Sequence, residues 1–69
     1  MRYIIEKSNS KLYKLTIIRK QKEYIKCNVV YVNNDDLHNK EALKFTLYVL
    51  TNLSKHECVY LAEDINRYV

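Results

Sequence analysis

Asp35, Asp36, His38 and Glu41 crowd into seven positions of the stretch YVNNDDLHNKEALKF, residues 31–45. Carboxylates beside an imidazole are the groups that move protons or hold metal ions. The same residues have a structural use. Asp35 or Asp36 can cap a helix while favouring its positive end, and Asn33-Asn34 can turn the chain without glycine. Glu41 lies about 160° from Leu43 on a helical wheel, turned away from the apolar side, so the cluster reads as the device that switches the chain from strand to helix. His56-Glu57-Cys58 is a second trio of ligand types. Alternation on a strand would send His56 and Cys58 to one face and Glu57 to the other, and two ligands do not make a zinc site. Cys27 and Cys58 stand 31 residues apart with no CxxC spacing, and they read as two reduced, buried thiols without a basic neighbour to activate either as a nucleophile. No residue is assigned a catalytic, cofactor-binding or metal-binding role, and the expectation is a protein that is not an enzyme and takes no cofactor.

Composition narrows the classes further. The chain has 69 residues, 48% of them hydrophobic and 29% charged, with no glycine and no proline. A chain of this length has apolar atoms for one core, so residues 1–69 are expected to form a single domain. The absence of glycine excludes a Walker loop, a GxGxxG dinucleotide turn and a GxSxG nucleophile elbow, each of which needs glycine for close backbone approach. Turns must then fall to Asn, Asp and Ser, which tolerate left-handed backbone or bond their own backbone, and these cluster at residues 8–10 and 33–36. No apolar run approaches the roughly 18 residues of a membrane span, and the apolar part of MRYIIEKSNS is too short for a signal peptide. The expectation is a cytoplasmic protein with no membrane partner.

Hydrophobic periodicity supplies the positioning elements. Three runs rich in β-branched and aromatic residues, RYIIEK (2–7), LYKLTIIRK (12–20) and EYIKCNVVYV (23–32), predict a three-stranded antiparallel meander with turns at Ser8-Asn9-Ser10 and around Lys20-Gln21-Lys22. On the second run Tyr13, Leu15 and Ile17 share a face; on the third, Ile25, Cys27, Val29 and Tyr31 do, and these sets are taken as the core side. Past residue 34 the period becomes helical, with Leu43, Leu47, Leu50, Leu53, Ala42, Val49 and Phe45 on an arc of about 200°. That predicts one helix from near Asp36 to Ser54, followed by a fourth strand at residues 57–62. The expected fold class is α+β: a two-layer β-β-β-α-β domain with one helix packed on one sheet face and the other face open.

Charge divides along the same line. Residues 1–34 carry eight Lys or Arg against two Glu, and residues 35–69 carry four against six acids. The basic half is also rich in tyrosine, and its cations and apolar residues nominate a binding surface of Lys14, Ile18, Arg19, Lys20, Lys22, Tyr24, Lys26 and Val30. Lysines beside tyrosine can track phosphates and stack bases. Leu12, Ile18, Tyr24, Val30 and Val32 would instead form too much apolar surface to leave wet on the side opposite the helix. A partner, or a second copy joined through the sheet face or edge, should cover some of it.

From residue 33 onward the chain resembles the second half of the ribonuclease H core, through NN, a helix opening with Glu41, and LSKHECVYLAED. The resemblance implies a metal-dependent phosphodiesterase site built from Glu6, Glu41 and Asp64, although the first strand reads IIEKSNS with no Asp-Gly. Size and glycine-free composition are similar to those of small phage or mobile-element inhibitors of the anti-CRISPR type. The expected function is a non-enzymatic inhibitor that binds a larger protein or ribonucleoprotein handling nucleic acid. A direct nucleic-acid binder and a degenerate ribonuclease H-like remnant are the alternatives.

Overall fold

The computed structural model describes residues 1–69. Three strands, β1 (Arg2–Lys7), β2 (Leu12–Lys20) and β3 (Ile25–Asn33), form an antiparallel sheet in the order β1-β2-β3. Three helices follow, α1 (Asn34–Leu37), α2 (Lys40–Leu50) and α3 (Lys55–Tyr68), and all pack on one face of the sheet. The fold is α+β with two layers. No helix is long and apolar enough to cross a membrane.

The turns are made without left-handed backbone at any residue. In the first hairpin Asn9 Oδ1 accepts from the backbone N–H of Lys11 at 2.8 Å and of Leu12 at 2.9 Å. The asparagine side chain thus substitutes for a backbone partner where a tighter turn would use glycine. The second turn spans Gln21 to Tyr24, closed by the Gln21 N–H donating to the Tyr24 carbonyl at 2.8 Å. It holds four residues, because Lys20 pairs with Ile25.

That four-residue turn corrects the expected face of β3. Leu15 pairs with Val30 and Tyr13 with Val32, so the even-numbered residues of β3 join the odd-numbered residues of β2 on the helix side. Val30 is 3% exposed and belongs to the core, along with Val32, so neither can line an outer surface. Ile25, Cys27, Val29 and Tyr31 face away from the helices, and Cys27 is an exposed thiol. The expected runs 12–20 and 23–32 also leave an even number of residues between them and imply this same parity; the odd-numbered set of β3 passes for the core face because it is as apolar as the even-numbered one.

The single long helix is replaced by two. Asn33, not Asp35 or Asp36, caps α1 by accepting from the Asp36 N–H at 2.7 Å. Asp35 and Asp36 do occupy its first turn, at the positive end. Asn39 takes extended backbone and caps α2, accepting from the Ala42 N–H at 3.1 Å. Thr51, also extended, ends α2: its hydroxyl donates to the Leu47 carbonyl and accepts from the Leu53 N–H. Stopping there leaves Leu50 exposed on the last turn, and Phe45 and Val49 are exposed as well. The buried stripe of α2 is Leu43 and Leu47.

Residues 57–62, expected as a fourth strand, lie in α3. Ser54-x-x-Glu57 forms a reciprocal capping box: the Glu57 N–H donates to Ser54 Oγ at 3.2 Å, and the Ser54 N–H donates to Glu57 Oε1 at 2.9 Å. The buried residues Cys58, Leu61, Ala62 and Ile65 then recur at helical spacing. These close one core of 12 buried residues with Leu15, Ile17, Val30, Val32, Leu37, Leu43, Leu47 and Leu53, against which Tyr3, Ile5 and Tyr13 pack at the margin. Replacing the capping hydroxyl, Ser54→Ala, is expected to cost about 1 kcal/mol. Thermal unfolding followed by far-UV circular dichroism should show this as a fall in Tm of about 4–8 °C; an unchanged Tm would speak for a strand in this segment.

The C-terminal half of α3 is tied to two other elements. Asn66 Nδ2 donates to the carbonyls of Leu37 and Ala62, at 3.2 and 3.1 Å, joining it to the end of α1. The Tyr3 hydroxyl donates to Asp64 Oδ2 at 2.6 Å, joining it to β1. Burial, then the bond to the Asp64 carboxylate, pushes the Tyr3 phenol up to about 12 from its ordinary 10.0. A folded-state pKa above the unfolded value means that the folded chain holds this proton more tightly. The Tyr3–Asp64 contribution is therefore complete below pH 10 and lost as pH rises towards 12. Urea unfolding across that window should show a steeper loss of stability for the wild type than for Tyr3→Phe, and parallel curves would remove Tyr3 from the account.

Candidate interaction surface

β1 begins opposite Ile18, so Arg19 and Lys20 of β2 pair only with Lys26 and Ile25 of β3. The β2–β3 hairpin therefore runs past β1 as a two-stranded ribbon, and its basic residues stand at one end of the molecule. Lys20, Lys22 and Tyr24 are exposed, Tyr24 by 62%, and Lys26 is half-buried on the helix side. None of the three lysines has a carboxylate partner, since the ion pairs are Arg19–Glu57, Lys44–Glu41 and Arg67–Asp64. Glu23 is the only acid in the turn. The tip carries three unpaired cations and one exposed aromatic ring, with Lys20 on the open face of the ribbon and Lys26 on the helix side.

Arg19 has a different place from the one expected. It turns towards the helices, where Nη2 donates to Asn52 Oδ1 at 3.0 Å and Nη1 lies 3.8 Å from Glu57 Oε1. Its side chain is only 13% exposed. Glu57 thus serves both the capping box and Arg19, and the Ser54 backbone hydrogen bond, with Arg19 adding to it, holds its carboxyl below the usual glutamate range. The arrangement also accounts for Arg19 and Lys26 standing directly opposite each other, a like-charge cross-strand pair that is unfavourable unless one charge is compensated. Arg19 clamps the ribbon to the start of α3 and is not part of the exposed binding face.

The remaining nominated residues, Lys14 and Ile18, are half-buried on the central strand's open face. Ile4, Ile25, Val29 and Tyr31 share that face and are each at least half exposed. They escaped the sequence reading because the reversed parity of β3 had assigned three of them to the core. A separate cleft of about 370 Å³ lies between α2 and α3, lined by Phe45, Tyr48, Cys58 and Val59 with Lys44 and Lys55 at its rim. The Lys55 ammonium sits 5.8 Å from the Tyr48 ring centroid, within cation–π range. Burial pushes the Cys58 thiol up, away from the reactive thiolate.

The acidic residues do not converge. Glu6 is on the open sheet face, Glu41 pairs with Lys44 at 2.9 Å on the exposed side of α2, and Asp64 is held by Tyr3 and Arg67. No group of three His, Cys, Asp or Glu side chains comes together as a metal site would require. His38 caps the end of α1, its Nδ1 2.8 Å from the Asn34 carbonyl. His56 is exposed in the first turn of α3 while Cys58 points into the core, so the helix separates two residues that a strand would have placed on one face. Comparison with protein-family models, with curated proteins and with solved structures finds no match to this chain.

The division of labour within the ribbon can be measured. Arg19→Ala should lower folding stability by about 1–3 kcal/mol, through lost packing and an uncompensated Glu57. Lys20→Ala and Lys22→Ala should each stay within about 0.5 kcal/mol of wild type in the same urea titration. Equal effects at all three positions would show that Arg19 is as free as its neighbours.

Proposed function

We propose that the protein is a small non-enzymatic binding protein that inhibits or adapts a larger partner by docking the tip of its β2–β3 hairpin on an acidic surface of that partner. The observation that carries this reading is the presence, at the end of one hairpin, of the unpaired cations Lys20, Lys22 and Lys26 together with the exposed ring of Tyr24. Charges left without intramolecular partners retain their full field for steering an anionic surface. Tyr24 adds contact area at low rotamer cost, the usual role of tyrosine at the centre of an interface. A partner that handles nucleic acid, or one with an acidic protein surface, is the favoured class, because a cluster of unpaired cations is drawn to phosphate or carboxylate charge. Size and glycine-free composition are similar to those of phage and mobile-element inhibitors of the anti-CRISPR type, which is in keeping with this reading.

Direct binding of nucleic acid is the second reading, favoured by the same lysines beside an aromatic ring. One variant set separates the two. Affinity purification from the native host should recover one dominant protein with the wild type and lose it with Lys20→Glu/Lys22→Glu or Tyr24→Ala. Fluorescence anisotropy with a short single-stranded oligonucleotide should meanwhile show no binding at about 50 mM salt, where a phosphate-tracking surface would bind and then weaken steeply towards about 200 mM. Salt-sensitive oligonucleotide binding abolished by the same substitutions would replace the first reading with the second. Recovery of the same protein by the double charge reversal would remove the tip from both.

A further inference from the structure

We infer that two copies of this chain associate face to face through the open side of the sheet, end over end, with Arg2 of each copy paired with Glu6 of the other. The open face consists of cross-strand rows whose register is known. Three rows cross the whole sheet: Arg2–Ile18–Cys27, then Ile4–Thr16–Val29, then Glu6–Lys14–Tyr31. The middle row is uncharged and its outer members, Ile4 and Val29, are each 50% exposed. Helices cover only the other face, so nothing in the chain itself shields this one from water.

Two symmetric ways of stacking such a face on itself differ in charge. A two-fold axis parallel to the strands sets Lys14 on Lys14 and Lys20 on Lys20, because both lie on the central strand. Like charges facing each other across an interface oppose association. A two-fold axis perpendicular to the strands and passing over Thr16 lays the middle row on itself and the first row on the third of the second copy. Arg2 then meets Glu6 twice, while Lys14 lays its aliphatic stem over Ile18 of the other copy with the Glu6 carboxylate beside it in its own row. Within one copy Glu6 stands opposite Lys14, yet no ion pair forms between them, so the carboxylate is available.

The geometry tolerates sheet twist. Face-packed sheets lie about 10 Å apart and rotated by about 30°. Arg2 is about 8 Å from the axis, so that rotation displaces it from Glu6 by about 4 Å, within reach of the two side chains. Each outward residue covers about 30 Å² of sheet plane, which gives a flat footprint of about 400 Å² per copy, with more accessible area because side chains stand above it. That is a small interface, in the class that associates reversibly and in proportion to concentration. The hairpin tips emerge at opposite ends of the pair, so the dimer remains compatible with the tip-directed reading and independent of it.

Sedimentation velocity over about 5–500 µM should show the wild type passing from monomer towards dimer by mass action. Arg2→Glu and Glu6→Arg should each weaken the dimer at least tenfold, and Val29→Asp should abolish it. All three sites are exposed, and retained far-UV circular dichroism would verify the fold. Equimolar Arg2→Glu and Glu6→Arg variants should associate with each other better than either does alone, and the double variant carrying both should dimerise again. A wild type that stays monomeric throughout would overturn the proposal. A dimer insensitive to Val29→Asp would overturn it by placing association on another surface, and failure of the two reversed variants to complement each other would overturn the end-over-end pairing.

Discussion

The pairing of Lys20 with Ile25 across a four-residue turn decides which half of β3 is core and which is surface. Because side chains alternate along a strand, that one register choice sends Val30 and Val32 under the helices and leaves Val29 and Tyr31 outside. The core then has enough branched aliphatic volume on the helix side of β3 to meet Leu37, Leu43 and Leu47. Arg19 shares the odd-numbered face of β2 with Leu15 and Ile17, which brings it beneath the start of α3, where Glu57 and Asn52 receive it. Which half of β3 enters the core and which half composes the open face are consequences of the parity of a single turn.

Glycine's absence makes side chains responsible for work that backbone freedom usually does. Asn9 closes the first hairpin, Asn33 and Asn39 start two helices, Thr51 ends one and Ser54 starts the next. Each uses a short oxygen-bearing side chain to satisfy backbone groups that a change of direction leaves without partners. No residue needs a left-handed conformation as a result. These polar residues are also the boundaries between elements, which is why the chain divides into six short segments without any proline.

Much of the first half was legible from the amino acids, and the second half less so, for a physical reason. Strand existence follows from β-branched runs, and the Tyr13, Leu15, Ile17 face of β2 was readable because it alternates cleanly with Lys14 and Thr16. The parity of β3 was not, since Ile25, Cys27, Val29 and Tyr31 are as apolar as the buried set. The even parity of the turn, taken together with the Tyr13, Leu15, Ile17 face of β2, discriminates between them. In the helical half, Leu50 lies within the apolar arc of one continuous helix, yet Thr51 ends that helix and leaves Leu50 in water. The ECVYLA run has the composition of a strand, but the local signal at its start, Ser54 with Glu57, is a helix cap. The missed cues were turn parity and capping chemistry, the latter carried by single polar residues. Of the candidate site, Lys20 and Lys22 are legible as turn residues and Tyr24 as an outward residue of the third run, although it belongs to the turn; the pairing of Arg19 is not legible, because its carboxylate partner lies 38 positions further along, in a segment with the composition of a strand.

A sheet covered on one side has a second consequence for so short a chain. All three helices are committed to a single core of 12 residues, leaving no element to cover the outer face. Some apolar residues there could have been exchanged for polar ones without touching that core, as Lys14 and Thr16 already show on the central strand. Ile4 and Val29 instead flank Thr16 in one row, with charges of opposite sign on β1 one row above and one row below. An apolar centre bounded by Arg2 and Glu6 differs from a generic solubilising face, which would surround its centre with charges of one sign to repel copies of itself. Opposite signs at equal distance from a central row make the face complementary to its own image after a half-turn. The molecule therefore carries two distinct kinds of surface: a tip whose cations suit a foreign acidic partner, and a sheet face whose β1 edge carries opposite charges that suit another copy of itself.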